Sequence, residues 1–194
     1  MPTIATSFPA LTGLILTMAG WTGLEIYLGR RTSRVNLIAG SRQAELLISG
    51  STVAALLLAL LASSAIPAAV IHPPQVAYAA GIAMLLAGIA IRGLAASSLG
   101  AYYTLDLGTQ AGQTIRQEGL YRWVRHPGYA GTLIALLGIA FALGSWAAAP
   151  AFALVVPGLV ARIRSEEQML SRAFGQAYAE YCAATPCRLI PGVL

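Results

Sequence analysis

The sequence contains no lysine, and only two histidines and two cysteines occur among its 194 residues. Without lysine there is no phosphate-binding loop of the Walker type, which depends on that residue. The histidines, His72 and His126, are 54 positions apart, and the five-residue separation of Cys182 and Cys187 is neither a zinc nor a redox spacing. The sequence therefore predicts no metal site, and we interpret both cysteines as reduced thiols.

Charge is also scarce. Only 10% of the residues are charged, 57% are hydrophobic, and the mean hydropathy is +0.71. A soluble domain carries roughly 25% charged residues. The apolar runs lack the period-two alternation of a membrane barrel, so helices are the remaining way to cross lipid. We predict an all-α integral membrane protein that forms a single domain over residues 1–194.

The apolar runs predict about five transmembrane helices, at approximately residues 8–28, 46–70, 76–99, 128–144 and 146–162. The first three are long enough for a ~30 Å hydrocarbon core. The last two are shorter and form a hairpin around Gly144-Ser145. Arginines follow the first run and do not precede it, so we expect a retained span and not a cleaved signal peptide.

The arginines predict an orientation. In the five-span topology, eleven of the twelve lie at one end of the bundle, while the loops around 71–75 and 144–146 carry no charged residue. The positive-inside rule makes the arginine-rich end cytoplasmic and the N-terminus external, in the cell inner membrane. Arg92, inside the third span, is expected to extend to the interface, with a role in the site as the alternative, and Glu25 is a similar case in the first span. This charge suits anionic lipids, and no basic run with interleaved aromatics indicates nucleic-acid binding.

Polar residues concentrate at the two feet of the last hairpin. His126 and Pro127 precede it, and Arg162 and Glu166 follow it on one helix face. Charged groups at the edge of a membrane are costly unless they serve a function, so we predict a ligand site here. Pro127 favours the start of a helix, whose free N–H groups can face a ligand. An amphipathic helix that begins after Ala161 is expected to cover the site at the membrane surface.

Three motifs carry a family resemblance. They are Gly119-Leu120-Tyr121-x-x-x-Arg125-His126-Pro127-x-Tyr129-x-Gly131, Arg162-x-x-x-Glu166-Glu167 and Phe174-Gly175-x-x-Tyr178-x-x-Tyr181. In order and spacing they resemble the isoprenylcysteine carboxyl methyltransferase family, and integral membrane phospholipid methyltransferases share parts of them. The resemblance covers about residues 99–194. It implies methyl transfer from S-adenosylmethionine to a lipid or lipid-linked acceptor, most simply the carboxylate of an isoprenylcysteine.

The resemblance also implies residue roles. Segments 106–129 and 162–190 would form the cofactor site, and Asp106 falls near a further cofactor position. Arg162 matches the catalytic residue placed toward the substrate carboxylate. The matching cofactor-binding residues are Gln113, Thr114, Ile115, Arg116, Tyr121, His126, Pro127, Gly128, Tyr129 and Glu166.

Other functions remain open at this point. The acceptor is a prenylated cysteine, a phosphatidylethanolamine head group or another lipophile. A membrane reductase of the sterol type, using NADPH, shares a similar Gly-Leu-aromatic…Pro-x-Tyr-x-Gly pattern, but commonly has Glu where Thr132 stands here. A non-enzymatic membrane adaptor that has kept the fold is the third possibility, and binding of the cofactor separates it from the other two.

Overall fold

A computed structural model describes residues 8–32, 42–103 and 112–192, which form helices and connecting segments. The α-helices are α1 (Phe8–Thr32), α2 (Arg42–Ala65), α3 (Pro74–Leu99), α4 (Pro127–Ala142), α5 (Val155–Phe174) and α6 (Gln176–Ala184). Short 3-10 helices lie at Pro67–Ala69, Gly100–Tyr102, Gly119–Arg122 and Trp146–Leu154. These ranges contain no β-strand, and the predicted all-α class is confirmed.

The helices have the length and composition of membrane spans. In the described ranges, four segments are long and apolar enough to cross a membrane, namely Pro9–Leu28, Leu46–Ala65, Pro74–Leu99 and Trp146–Phe174. The apolar helix α4 has 16 residues, which corresponds to ~24 Å. Large side chains such as Leu16 and Leu61 are exposed on α1 and α2, as expected for helices that face lipid.

Two predicted boundaries are wrong. The second span ends at Ala65 and not at residue 70, because Ile66 precedes Pro67 and is therefore disfavoured in the α conformation. The last span does not end at residue 162: after the 3-10 segment Trp146–Leu154, α5 continues without a break to Phe174. A change of polarity after Ala161 does not end a helix, because no proline or glycine follows until Gly175, whose φ is +52°. The predicted amphipathic cap is therefore the second half of α5 together with α6.

Glycines allow α3 and α4 to pack at very short distance. A Cβ atom built on Gly138 would lie 2.5 Å from Leu85 N and 2.7 Å from Gly81 O, so only glycine fits there. One built on Gly131 would lie 2.7 Å from Gly88 O. Small residues are the usual means by which membrane helices approach each other closely. This contact places the polar part of α3 directly against the first turns of α4.

The two uncharged loops meet at the end of the bundle opposite the arginines. Ile71 N donates a hydrogen bond of 2.9 Å to Gly144 O, and Val70 and Ser145 form an isolated antiparallel bridge. Helix α1 packs mainly on α3, where Tyr78 Oη donates to Ala10 O at 2.9 Å. The bundle therefore has a compact α3–α4 centre and a peripheral helix α1.

We expect Gly138→Ala to lower the free energy of unfolding by about 1–3 kcal/mol, since the added methyl group would push α3 and α4 apart. Denaturant unfolding in detergent measures the effect. Gly20→Ala on α1 is the matched control, because nothing lies within 4 Å of a Cβ there. A loss of stability at Gly20 equal to that at Gly138 would contradict the close contact between α3 and α4.

Candidate functional site

A cavity of about 650 Å³ joins the arginine-rich end of the bundle to its apolar interior. Its polar end is bordered by the segment before α4, the first turns of α4, the middle of α5, and α6. Its apolar end lies between α1, α2 and α4, where the bordering residues are Met18, Ile48, Leu56, Leu136 and Ile139. One continuous space thus offers a polar and an apolar environment to the same or to adjoining ligands.

Nearly all the residues predicted from the sequence border this cavity. They are Gln113, Thr114, Ile115, Arg116, Tyr121, His126, Gly128, Tyr129, Glu166 and Arg162. Pro127 is instead fully buried in the first turn of α4. An N–H at this position would have no partner within the helix, so a proline costs no hydrogen bond there. Asp106 lies outside the described residues.

A short relay joins the two predicted functional residues of α5 to α4. Arg162 Nε donates to Tyr129 Oη at 3.0 Å, and Tyr129 Oη donates to Glu166 Oε2 at 2.9 Å. Arg162 is only 6% exposed, so its charge is held in place by this contact and its other neighbours. The ring of His126 stacks on that of Tyr129 with centroids 5.7 Å apart. The spacing of Arg162 and Glu166 therefore predicted a shared face correctly, although a tyrosine mediates between them.

Glu167 is the centre of a second network beside the cavity. Its carboxylate accepts hydrogen bonds from Arg125 Nε at 3.0 Å and from Arg188 Nε at 3.0 Å, and lies 3.3 Å from His126 Nε2. Arg125 also donates to Thr185 O at 2.8 Å. Glu167 belongs to the second motif but had no predicted role, and its adjacency to Glu166 was its signal in the sequence. The two carboxylates lie against different nitrogens of the His126 ring, Glu166 at 3.8 Å from Nδ1 and Glu167 at 3.3 Å from Nε2.

The C-terminal segment is held against the loop before α4. Arg125 N and His126 N each donate a 2.9 Å hydrogen bond, to Cys187 O and Arg188 O respectively. Tyr181 Oη donates to Tyr121 O at 2.8 Å. Burial raises the pKa of both tyrosines, so both phenols remain protonated donors at neutral pH. These bonds hold α6 and the tail over the polar end of the cavity.

The prediction for Arg92 and Glu25 is wrong, because Arg92 does not extend to the interface but pairs with Glu25 beside the cavity. Its Nε and Nη2 both contact the carboxylate, the latter at 2.9 Å, and Nη1 lies 3.3 Å from Thr132 Oγ1. Trp21 Nε1 donates to Glu25 Oε1 at 3.0 Å. An ionisable residue inside a span is itself a signal of function, but the 67-residue separation of the partners concealed the pair.

The part of the chain that the structure describes holds no cluster of three or more metal-binding side chains. Cys182 and Cys187 are free thiols, as the sequence analysis predicted. The polar side chains that border the cavity are carboxylates, guanidinium groups, phenols, hydroxyls, amides and one imidazole.

Comparison with known proteins confirms the resemblance. Residues 81–172 match the model of the isoprenylcysteine carboxyl methyltransferase family. Protein-S-isoprenylcysteine O-methyltransferase B of Arabidopsis thaliana is 34% identical over 109 residues, which are 55% of this chain and 55% of that protein. A Delta(14)-sterol reductase of Mus musculus is 34% identical over 87 residues, which are 44% of this chain and 21% of that protein.

A solved structure extends the comparison to the fold. The structure described as the eukaryotic intramembrane Ras methyltransferase ICMT superposes with a TM-score of 0.62 over 93% of this chain and 68% of that chain, at 20% identity. This likeness shows a shared fold, that of an integral multi-pass membrane protein. The match with the plant methyltransferase spans about half of the relative's length.

We expect Glu167→Gln to destabilise the protein by about 3 kcal/mol, because it leaves the buried Arg125 without its carboxylate. Thermal unfolding and limited proteolysis of the C-terminal segment measure this loss. Glu118→Gln is the control, since its ion pair with Arg116 is exposed and contributes less than about 1 kcal/mol. Equal stability of the two variants would show that Glu167 does not hold the tail.

Proposed function

We propose that this protein transfers a methyl group from S-adenosylmethionine to a lipid-linked acceptor, most simply the carboxylate of an isoprenylcysteine. The proposal rests on one observation, that a continuous cavity has a polar end and an apolar end. The polar end contains the residues that match the family's cofactor contacts, and the apolar end runs between helices that face lipid. A water-soluble methyl donor and a lipid tail could therefore reach one site from opposite directions.

The residues at the polar end fit such a cofactor. Ligand cavities commonly measure about 300–1,000 Å³, and this one lies within that range. Glu166 can accept from hydroxyl or amino groups, and the segment from Gln113 to Arg116 forms part of the wall. Tyr178 borders the cavity as well, and its buried hydroxyl lies beside the Cys182 thiol.

The chemistry requires positioning more than proton transfer. S-adenosylmethionine supplies an electrophilic methyl group on a sulfonium, which a carboxylate can attack directly. The protein's contribution is to align the two reactants and to exclude water, for which a wall formed by the buried Arg162 and the half-buried Tyr129 is suited. Arg162 can hold the acceptor carboxylate, and the relay through Tyr129 sets the orientation of its guanidinium.

A carboxylate acceptor suits these residues better than an amine. An amine is protonated at neutral pH and must lose a proton before it attacks, whereas a carboxylate is ready to react. Phospholipid N-methylation remains the alternative within the methyltransferases. The distribution of charge supports a cytoplasmic active site in the cell inner membrane, since Arg116, Arg125 and Arg162 border the cavity's polar end and the loops around 71–75 and 144–146 carry no arginine.

The match to a sterol reductase supports a second candidate, an NADPH-dependent membrane reductase. Thr132 stands where those enzymes commonly have Glu, and here its hydroxyl lies 3.3 Å from Arg92 Nη1. A thermal-shift titration of the purified protein with S-adenosylmethionine, S-adenosylhomocysteine and NADPH in parallel separates the two. Stabilisation by the two adenosyl compounds alone supports the methyltransferase, because a ligand that binds only the folded state raises its stability. Stabilisation by NADPH alone would assign the protein to the reductases.

Substitutions at the polar end should separate cofactor binding from turnover. We expect Glu166→Ala and His126→Ala each to raise the dissociation constant of S-adenosylhomocysteine at least about 100-fold, measured by calorimetry. Arg162→Ala should leave that constant within about threefold of the parent and lower kcat by about 100-fold. If all three variants retain parental methyl transfer, the assignment of the site is wrong.

A further inference from the structure

A second open space lies on the side of α5 that faces away from the cavity. It is a groove of about 520 Å³ between α5 and α6. The residues that border it include Arg164, Gln168, Ser171 and Arg172 of α5 and Cys182 of α6. The cavity is bordered by other residues of α5, among them Arg162, Glu166 and Met169. At 100° of rotation per residue, the two sets lie on opposite faces of one helix.

The groove carries a net positive charge. Arg164 and Arg172 are exposed, and neither forms an ion pair or a hydrogen bond with another residue that the structure describes. Glu167 also borders the groove, but Arg125 and Arg188 already neutralise its carboxylate. The guanidinium groups of Arg164 and Arg172 are therefore available to an anion, and a guanidinium matches the geometry of a phosphate.

The length of the last span places the groove at the level of the lipid head groups. Trp146, which is 57% exposed, begins the span Trp146–Phe174, and an exposed tryptophan is typical of a membrane interface. Nine residues of 3-10 helix follow, and Arg164 is the tenth residue of α5. At about 2.0 and 1.5 Å per residue, Arg164 lies roughly 30 Å from Trp146, which is the thickness of the hydrocarbon core.

An apolar strip of α5 leads to the groove. Val156 and Val160 are 47% and 38% exposed, and they precede Arg164 at intervals of four residues. Side chains four residues apart are neighbours on the surface of a helix. The strip therefore changes from apolar to cationic at the edge of the hydrocarbon core. A phospholipid presents the complementary order, because its acyl chains end at a negatively charged phosphate.

We propose that the groove between α5 and α6 binds an anionic phospholipid, with its phosphate on Arg164 and Arg172 and an acyl chain along Val156 and Val160. Basic pockets at the ends of membrane helices are typical sites for anionic head groups. A zwitterionic lipid fits less well, because the arginines repel its ammonium group. Binding of such a lipid requires no methyl transfer, so this site is independent of the proposed function.

The test measures thermal unfolding of the full chain, purified in a neutral detergent, during titration with one of three compounds. Phosphatidylglycerol carries a net negative charge, phosphatidylcholine has the same acyl chains without net charge, and glycerol 3-phosphate has a phosphate without a tail. A ligand that binds only the folded state raises the unfolding temperature as its concentration rises.

Three variants accompany the parent protein. Arg164→Gln/Arg172→Gln removes both cations of the groove. Ser171→Glu keeps both arginines and adds a carboxylate to the groove at an exposed position, where folding tolerates the change. Arg30→Gln/Arg122→Gln is the matched control, because it removes two exposed arginines that do not border the groove.

We expect phosphatidylglycerol to stabilise the parent protein, with a half-maximal effect at a concentration about tenfold or more below that of phosphatidylcholine. Glycerol 3-phosphate at the same concentrations should leave the unfolding temperature unchanged. Both groove variants should require about tenfold more phosphatidylglycerol than the parent, because the phosphate loses its cations or meets a carboxylate. The control variant should stay within about twofold of the parent.

Three results would overturn the proposal. An equal response to phosphatidylcholine would show that acyl chains alone account for the stabilisation. An equal response to glycerol 3-phosphate would make the groove a site for a soluble phosphate. A parental response in Arg164→Gln/Arg172→Gln and Ser171→Glu, or an equal loss in the control, would show a general attraction between the arginine-rich end and anionic lipid.

Discussion

The carboxylate of Glu167 joins three segments that are distant in the sequence, because a buried charge at the edge of an apolar bundle needs cations around it. Arg125 comes from the loop before α4 and Arg188 from the C-terminal segment, and His126 lies against the same oxygen as Arg125. With those residues fixed, the backbone of the tail reaches the amides of Arg125 and His126. This network shapes the polar end of the cavity, because the loop before α4 and the C-terminal segment are both attached to Glu167.

The second constraint is the contact between α3 and α4. Glycines at Gly81, Gly88, Gly131 and Gly138 bring the two backbones together, and the same approach brings Arg92 against the first turns of α4. A guanidinium deep in a bundle would normally be a liability. Here Glu25 and Thr132 accept hydrogen bonds from it, and the Trp21 indole donates to Glu25. The glycines on the facing sides of α3 and α4 therefore account both for the close packing of these helices and for the position of Arg92.

Structural features that depend on residues close together in the sequence were predictable. The apolar runs indicated the helices, and the spacing of Arg162 and Glu166 indicated their shared face, because helical periodicity is a local property. The Glu25–Arg92 pair was not predictable, since its partners are 67 positions apart and each one alone resembles an interfacial charge. The role of Glu167 required knowing where the tail returns. The false boundary at residue 162 came from treating a change of side-chain polarity as the end of a helix. Backbone hydrogen bonds continue through such a change, because they do not depend on the polarity of the side chains.

The peripheral position of α1 separates the two ends of the cavity mechanically. The polar end is built from α4, α5, α6 and the tail, all joined by hydrogen bonds, whereas the apolar end takes part of its wall from α1, which rests mainly on α3. Exchanging Met18 for a smaller or larger side chain would therefore alter the depth of the apolar end, without moving Glu166 or Arg162. The shape of the apolar end can therefore change without disturbing the polar end, a property that follows directly from how one helix is attached.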